Sequence, residues 1–175
     1  MANATLPTLA VAAVIVASAP NTGWADDQAQ AEACRKTLGL FAADKIDEAV
    51  ETMFFEAQPW DAQKAQEMRG HATYEKAADA MRDTFRRAVE HLLKANDAIA
   101  VRSRGPVSRL TLAGRIVHLE QWQFDNGRKI YAGCVRRPSS DASGWKTDIK
   151  VNPDKAKLLK DVEDGIRRAA AQPAP

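Results

Sequence analysis

No Asp, Glu, Lys or Arg occurs between Met1 and Ala25, whereas all 25 basic and all 23 acidic residues of the 175-residue chain lie beyond that point. Within the uncharged stretch, Leu9 to Ala17 is an unbroken run of Leu, Ala, Val and Ile. Pro20, Asn21, Gly23 and Ala25 follow, directly before Asp26 and Asp27. The run falls far short of the roughly 20 apolar residues that a spanning helix needs, so no stable membrane span is expected. It reads as a secretory signal peptide cut after Ala25, which predicts a periplasmic or secreted protein. The segment before the run lacks the usual Lys or Arg, and an uncleaved anchor is the alternative.

Other absences narrow the chemistry. The formal charge of +2 is too balanced for nucleic-acid binding, which needs basic side chains gathered on one face. There is no Cys-x-x-Cys, no His/Cys spacing for zinc, no phosphate-cradling glycine loop and no Ser-His-Asp ordering, so neither a metal nor a cofactor is expected. Arg102, Arg104, Arg109 and Arg115, with Arg136 and Arg137, form the one basic concentration. They read first as outward residues that keep strand edges soluble, with an anionic-surface patch as the alternative. The two cysteines, Cys34 and Cys134, can pair in only one way. In an oxidising compartment the default is a disulfide closing a loop of about 100 residues, which stabilises by up to roughly 4 to 5 kcal/mol; two buried thiols are the alternative.

About 150 residues after the leader suit a single domain, placed at 26–170 between a signal peptide over 1–25 and a disordered tail over 171–175. Ala31, Cys34, Leu38 and Phe41, then Ile46, Val50, Met53 and Phe54, recur at helical spacing. Pro59 interrupts, and a short helix is expected over Asp61 to Met68, with Gly70 closing it. From Thr73 a longer helix carries Tyr74, Ala77, Ala78, Met81, Phe85, Ala88, Val89 and Leu92 on one stripe, read as core. After Asn96 the period changes to alternation, predicting strands at about Val107–Leu112, Arg115–Phe124, Arg128–Arg137 and Trp145–Val151. Asn152, Pro153 and Asp154 open a final helix whose stripe is Leu158, Leu159, Val162 and Ile166. The fold class is therefore α+β: N-terminal helices on a curved antiparallel four-stranded meander, plus a C-terminal helix.

Asn126-Gly127 predicts a two-residue type I′ hairpin, because both central residues then need positive φ. That register pairs Trp122 with Tyr131 and Leu119 with Cys134. One face then carries Ile116, His118, Glu120, Trp122 and Phe124 with Tyr131 and Val135, and the other carries Val117, Leu119, Ile130, Ala132 and Cys134. Both faces are half apolar, so both must be covered. On this register the choice is exclusive. Either the helices cover the Cys134 face and form the disulfide, or they cover the Trp122 face and hold His118 and Glu120 in a pocket.

The segments "LFAADKIDEAVETMF", "GRIVHLEQWQFDNGRKIYAGCVRRP" and "GWKTDIKVN" resemble small bacterial exported proteins of the nuclear-transport-factor-2-like (cystatin-like) superfamily, over roughly Ala31 to Asn152. The resemblance implies a curved sheet wrapped around helices as a cone, a homodimer through the sheet's outer face, and a mouth that binds a small molecule or catalyses. Two features depart from it: the Gln58 to Thr73 stretch is short for the strand pair many members have there, and a helix follows Pro153.

The expected function is thus an exported binding or interaction domain, homodimeric through its sheet, with a protein or small apolar ligand as partner. Ile116, Trp122, Phe124 and Tyr131 are the candidate ligand or interface residues. The rival is a small-molecule isomerase or dehydratase with His118, Glu120 and Tyr131 as the catalytic set, since a base and a hydrogen-bond donor on one face can move a proton. The binding reading expects Glu120→Gln to leave folding intact.

Overall fold

The computed structural model describes residues 22–56, 58, 60–105, 108–138 and 145–171. Most of the expected leader, nearly all of the tail from 171 and the loop over 139–144 lie outside the described residues; Thr22 to Ala25 open the first helix. The elements are α1 (Thr22–Ala42), α2 (Ile46–Glu51) running into a π-helical stretch (Thr52–Glu56), α3 (Ala62–Arg69), α4 (Ala72–Ala95), β1 (Val101–Arg104), β2 (Ser108–Leu112), β3 (Arg115–Phe124), β4 (Lys129–Pro138), β5 (Trp145–Asn152) and α5 (Lys155–Ala171). No described helix is long and apolar enough to cross a membrane.

The sheet has five antiparallel strands, one more than the four expected. Its order is β1-β3-β4-β5, with β2 also paired to β3. The additional strand, β1, holds Arg104 opposite Trp122, and β2 continues along the same edge of β3 with Ser108 opposite Leu119. At only four residues, with one apolar side chain, β1 carries too little alternation to stand out.

The hairpin register differs from the expected one by a single residue. Trp122 pairs with Ile130, Glu120 with Ala132 and His118 with Cys134. Asp125, Asn126 and Gly127 make a three-residue loop: Phe124 N donates to Arg128 O at 2.9 Å, Gly127 N to Phe124 O at 3.0 Å, and Gly127 alone has positive φ, +84°. Asn126 has another task. Its Nδ2 donates to Asn96 O at 2.6 Å and Asp97 O at 2.9 Å, tying the hairpin tip to the end of α4. The two-residue turn with both φ positive lies instead between β2 and β3, at Ala113 (45°) and Gly114 (75°). A non-glycine residue held there is strained by about 1 kcal/mol. Ala113→Asn, which reaches that region more cheaply, is expected to raise stability by about 0.5 to 1 kcal/mol, read from the urea midpoint.

A one-residue slip exchanges the faces of β4 relative to β3. Cys134, Ala132 and Ile130 therefore share a face with His118, Glu120, Trp122 and Phe124, and the helices cover that whole face. Cys34, Leu38 and Phe41 of α1, Ala49 and Val50 of α2, and Ala78 of α4 pack there with Trp122, Phe124 and Cys134. Each large apolar side chain fully buried in this layer contributes about 1.5 to 3 kcal/mol. The exclusive choice between a disulfide and a helix-covered Trp122 face disappears, because both lie on one side. Cys34 and Cys134 are bonded, with 5.6 Å between their Cα atoms.

The opposite face, with Val117, Leu119, Val135 and part-buried Tyr131, is covered by Leu158, Val162 and Ile166 of α5. Thus the last helix covers the sheet's second face, for which a partner subunit or this helix is the expected cover. Asp154 rather than Asn152 caps this helix, its Oδ1 accepting from Ala156 N at 2.8 Å and Lys157 N at 3.2 Å.

The π-helical stretch shifts the phase of the α2 stripe. In an unbroken α-helix Phe54 would follow Val50 inward at i+4; one residue per turn more brings Phe55 in, at 3% exposure, and turns Phe54 to a half-buried position.

Candidate functional site

The residues expected to form a catalytic set are not brought together. Tyr131 stands opposite Gln121, on the α5 face, while His118 and Glu120 are buried under the helices. Glu120, 1% exposed, is the centre of a polar cluster. Arg104 Nε donates to its Oε2 at 2.7 Å, Arg104 Nη2 donates to its Oε1, and Trp122 Nε1 donates to Oε2 at 3.0 Å. Arg104 Nη2 also donates to Arg35 O at 3.0 Å. Gly39 admits the guanidinium to the side of α1, since a Cβ there would stand 2.5 Å from Arg104 Nη1.

Burial pushes the Glu120 carboxyl up; His118, Arg104 and Trp122 outweigh it and hold it at about 2. His118 Nε2 stands 3.6 Å from Glu120 Oε1, and neither ring nitrogen has a hydrogen-bond partner. A carboxylate so strongly held is a poor base. Its hydrogen bonds fasten β1 and β3 to α1.

The other expected site residues are distributed similarly. Trp122 and Phe124, at 3% and 0% exposure, are core, and Ile116 is half-buried near the start of β3. The register divides the arginines: Arg104, Arg109 and Arg136 lie on the helix-covered side, Arg115 and Arg137 on the α5 side. Arg136 is buried, donating to Thr147 Oγ1 at 3.1 Å and Gln30 Oε1 at 2.7 Å, and burial lowers its guanidinium to about 10. Among the described residues, no group of three or more His, Cys, Asp or Glu side chains is placed to hold a metal ion.

An open cleft of about 400 Å³ lies elsewhere, along the outer edge of β5. One wall is α4, through Tyr74, Ala77 and Met81; the π-helical stretch supplies Met53 and Phe54; β5 supplies Trp145 and Thr147. Trp60 closes one end, edge-on to Tyr74 with ring centroids 5.8 Å apart. Arg137, Lys146 and Asp148 also border it, with side chains that the register turns to the α5 side of the sheet. Gln58 fastens the loop to the strand edge: its Oε1 accepts from Trp145 N at 2.6 Å, and its Nε2 donates to Trp145 O at 3.1 Å. The side-chain amide thereby occupies the place of a further strand residue.

The α4 stripe read as core thus has two parts. Phe85, Val89 and Leu92 pack on the core, Tyr74 and Ala77 line open space, and Met81 between them does both. The cleft is built from three segments with no common period, so the sequence signal for it is weak. Trp60 in a stretch that also holds Met53, Met68 and Met81, with Trp145 at a strand start, is what marks it. A concave apolar surface with a few polar groups at its rim is the usual form of a small-molecule site. Comparison with protein-family models, with curated proteins and with solved structures finds no match for this chain.

Proposed function

We propose that this is an exported domain that binds a small apolar molecule in the cleft between α4 and β5. The cleft carries the reading: its volume of about 400 Å³ lies in the range of ligand sites, and its walls are aromatic and methionine side chains. Export is supported by the Cys34–Cys134 disulfide, a bond that persists in oxidising compartments, and by the uncharged apolar leader. Helices cover one face of the sheet. With α5 on the other face, the reading places the ligand at the sheet edge and assigns no partner copy to the sheet.

The test is binding of N-phenyl-1-naphthylamine, a neutral dye that brightens in apolar surroundings. The parent protein is expected to enhance its fluorescence saturably. Ala77→Trp, which fills the cleft from an exposed helix position, is expected to weaken binding by about tenfold or more while circular dichroism stays unchanged. Equal binding by parent and variant, or no saturable binding by the parent, overturns the reading.

A further inference from the structure

Both faces of the sheet are covered within the chain, but its β5 edge is not. β5 ends the sheet order, paired to β4 on one side. Trp145 stands opposite Pro138, which has no N–H, and turns its own N–H and C=O outward to the Gln58 amide. Outward-turned residues alternate along an antiparallel edge, so Thr147, Ile149 and Val151 present their backbone groups to the same side. Among the described residues nothing bonds to those groups. The side chains are sorted by the same alternation. Thr147, Ile149 and Val151 lie on the helix-covered side, where Thr147 walls the cleft and Val151 is 38% exposed. Lys146, Asp148 and Lys150 lie on the α5 side. Arg137 Nε donates to Asp148 Oδ2 at 2.9 Å, whereas Lys146 and Lys150 are exposed and have no acidic partner among the described residues.

We infer that β5 takes up an extended peptide as a sixth strand, one in which apolar side chains alternate with acidic ones. Main-chain hydrogen bonds to Thr147, Ile149 and Val151 hold it, as in strand addition generally. Its apolar side chains fall beside those three residues, the one next to Thr147 entering the cleft, and its carboxylates fall beside Lys146 and Lys150. This goes beyond small-molecule binding and uses the same apolar cleft for one side chain. A second copy of β5 meets the edge less well, because it brings a single carboxylate, Asp148, already held by Arg137, to two lysines.

Titration calorimetry with the peptide acetyl-Glu-Val-Thr-Val-Glu-Val-amide tests this. It is expected to bind saturably, and about tenfold more tightly than the same peptide with Lys for Glu, the combined size of two solvent-exposed charge pairs. The preference should shrink as salt is raised. Lys146→Glu with Lys150→Glu, both at exposed positions, is expected to reverse the order of the two peptides with circular dichroism unchanged. A strand addition uses only every other peptide amide. N-methylation of either the valines or the residues between them should therefore abolish binding, while the other set leaves it within about threefold. No saturable binding up to about 1 mM, an unreversed order, or equal effects of the two methylated sets overturns the inference. So does a dimer of the protein alone, seen by sedimentation, that Val151→Pro weakens, since a second copy then holds the edge. If the peptide fails but N-phenyl-1-naphthylamine binds, strand addition fails and the apolar cleft stands; if the peptide binds and the dye does not, the reverse holds.

Discussion

Replacing both Cys34 and Cys134 by Ala is expected to lower the unfolding free energy by about 4 kcal/mol. The bridge joins α1 to β4 across a sequence separation of 100, so it removes a large share of the unfolded chain's freedom. Loop closure of that length corresponds to roughly 4.7 kcal/mol at 25 °C in the chain-entropy model. Domains of this size are stable by about 5 to 15 kcal/mol, so the variant should fold but with little margin. Urea unfolding of the oxidised parent, the parent reduced by dithiothreitol and the double variant checks this. The reduced parent keeps its sulfur atoms and loses only the crosslink, so it should lie within about 1 kcal/mol of the variant. It should also show a steeper urea dependence, because an unbridged denatured chain exposes more surface. A reduced parent that loses less than about 1 kcal/mol overturns the entropic account.

The same bond shows how far the sequence is legible. Helical spacing around Cys34 and alternation around Cys134 suffice to place one on an amphipathic helix and the other on a strand, and oxidising context joins them. The face on which they meet is another matter. It depends on whether Asn126 is a turn residue or an anchor, and that is decided by Asn96 and Asp97, about thirty positions away, whose carbonyl groups its side chain ties down. A local rule for Asn-Gly sees only the turn. One residue of slip takes Tyr131 to the other face and puts Cys134 opposite His118 and Ala132 opposite Glu120, so the expected active-site trio is divided between the two faces.

Phase errors of the same kind hid the cleft. Val50 to Phe54 is a good helical interval, and only the wider turn over Thr52–Glu56 sends Phe55 inward and turns Phe54 to the cleft. Tyr74 and Met81 lie on a true apolar stripe, but the sheet ends at β5 before it can cover that part of α4. Amphipathic periodicity reports which side of a helix is apolar; it does not report whether the facing layer extends far enough to bury it. Most elements follow from sequence, β1 and the π-helical stretch excepted, and the candidate site follows from where the layers stop.

Glu120→Gln is expected to cost about 2 kcal/mol at neutral pH, which replaces the expectation that folding would be untouched. Removing one partner of a buried ion pair costs about 3 to 5 kcal/mol when both are enclosed, but the Arg104 side chain is 33% exposed and can regain water, so the figure is reduced. Glutamine keeps an acceptor for Trp122 Nε1, so the loss is chiefly that of charge. The pH dependence follows from the same group. Its carboxyl ionises at about 2 in the folded protein against an ordinary 4.5, so folding favours the ionised form. That stability is present in full above about pH 4.5 and is lost as pH falls through about 2. Parent and Glu120→Gln should therefore differ most at neutral pH and converge between these values; other carboxylates titrate in both proteins and cancel in the difference. Arg104→Met is expected to be the more damaging change, because Glu120, with 0% of its side chain exposed, has no route to water and must take up a proton or unfold. Equal stability of parent and Glu120→Gln from neutral pH to pH 3, measured by urea unfolding, would show that this cluster does not fasten β1 and β3 to α1.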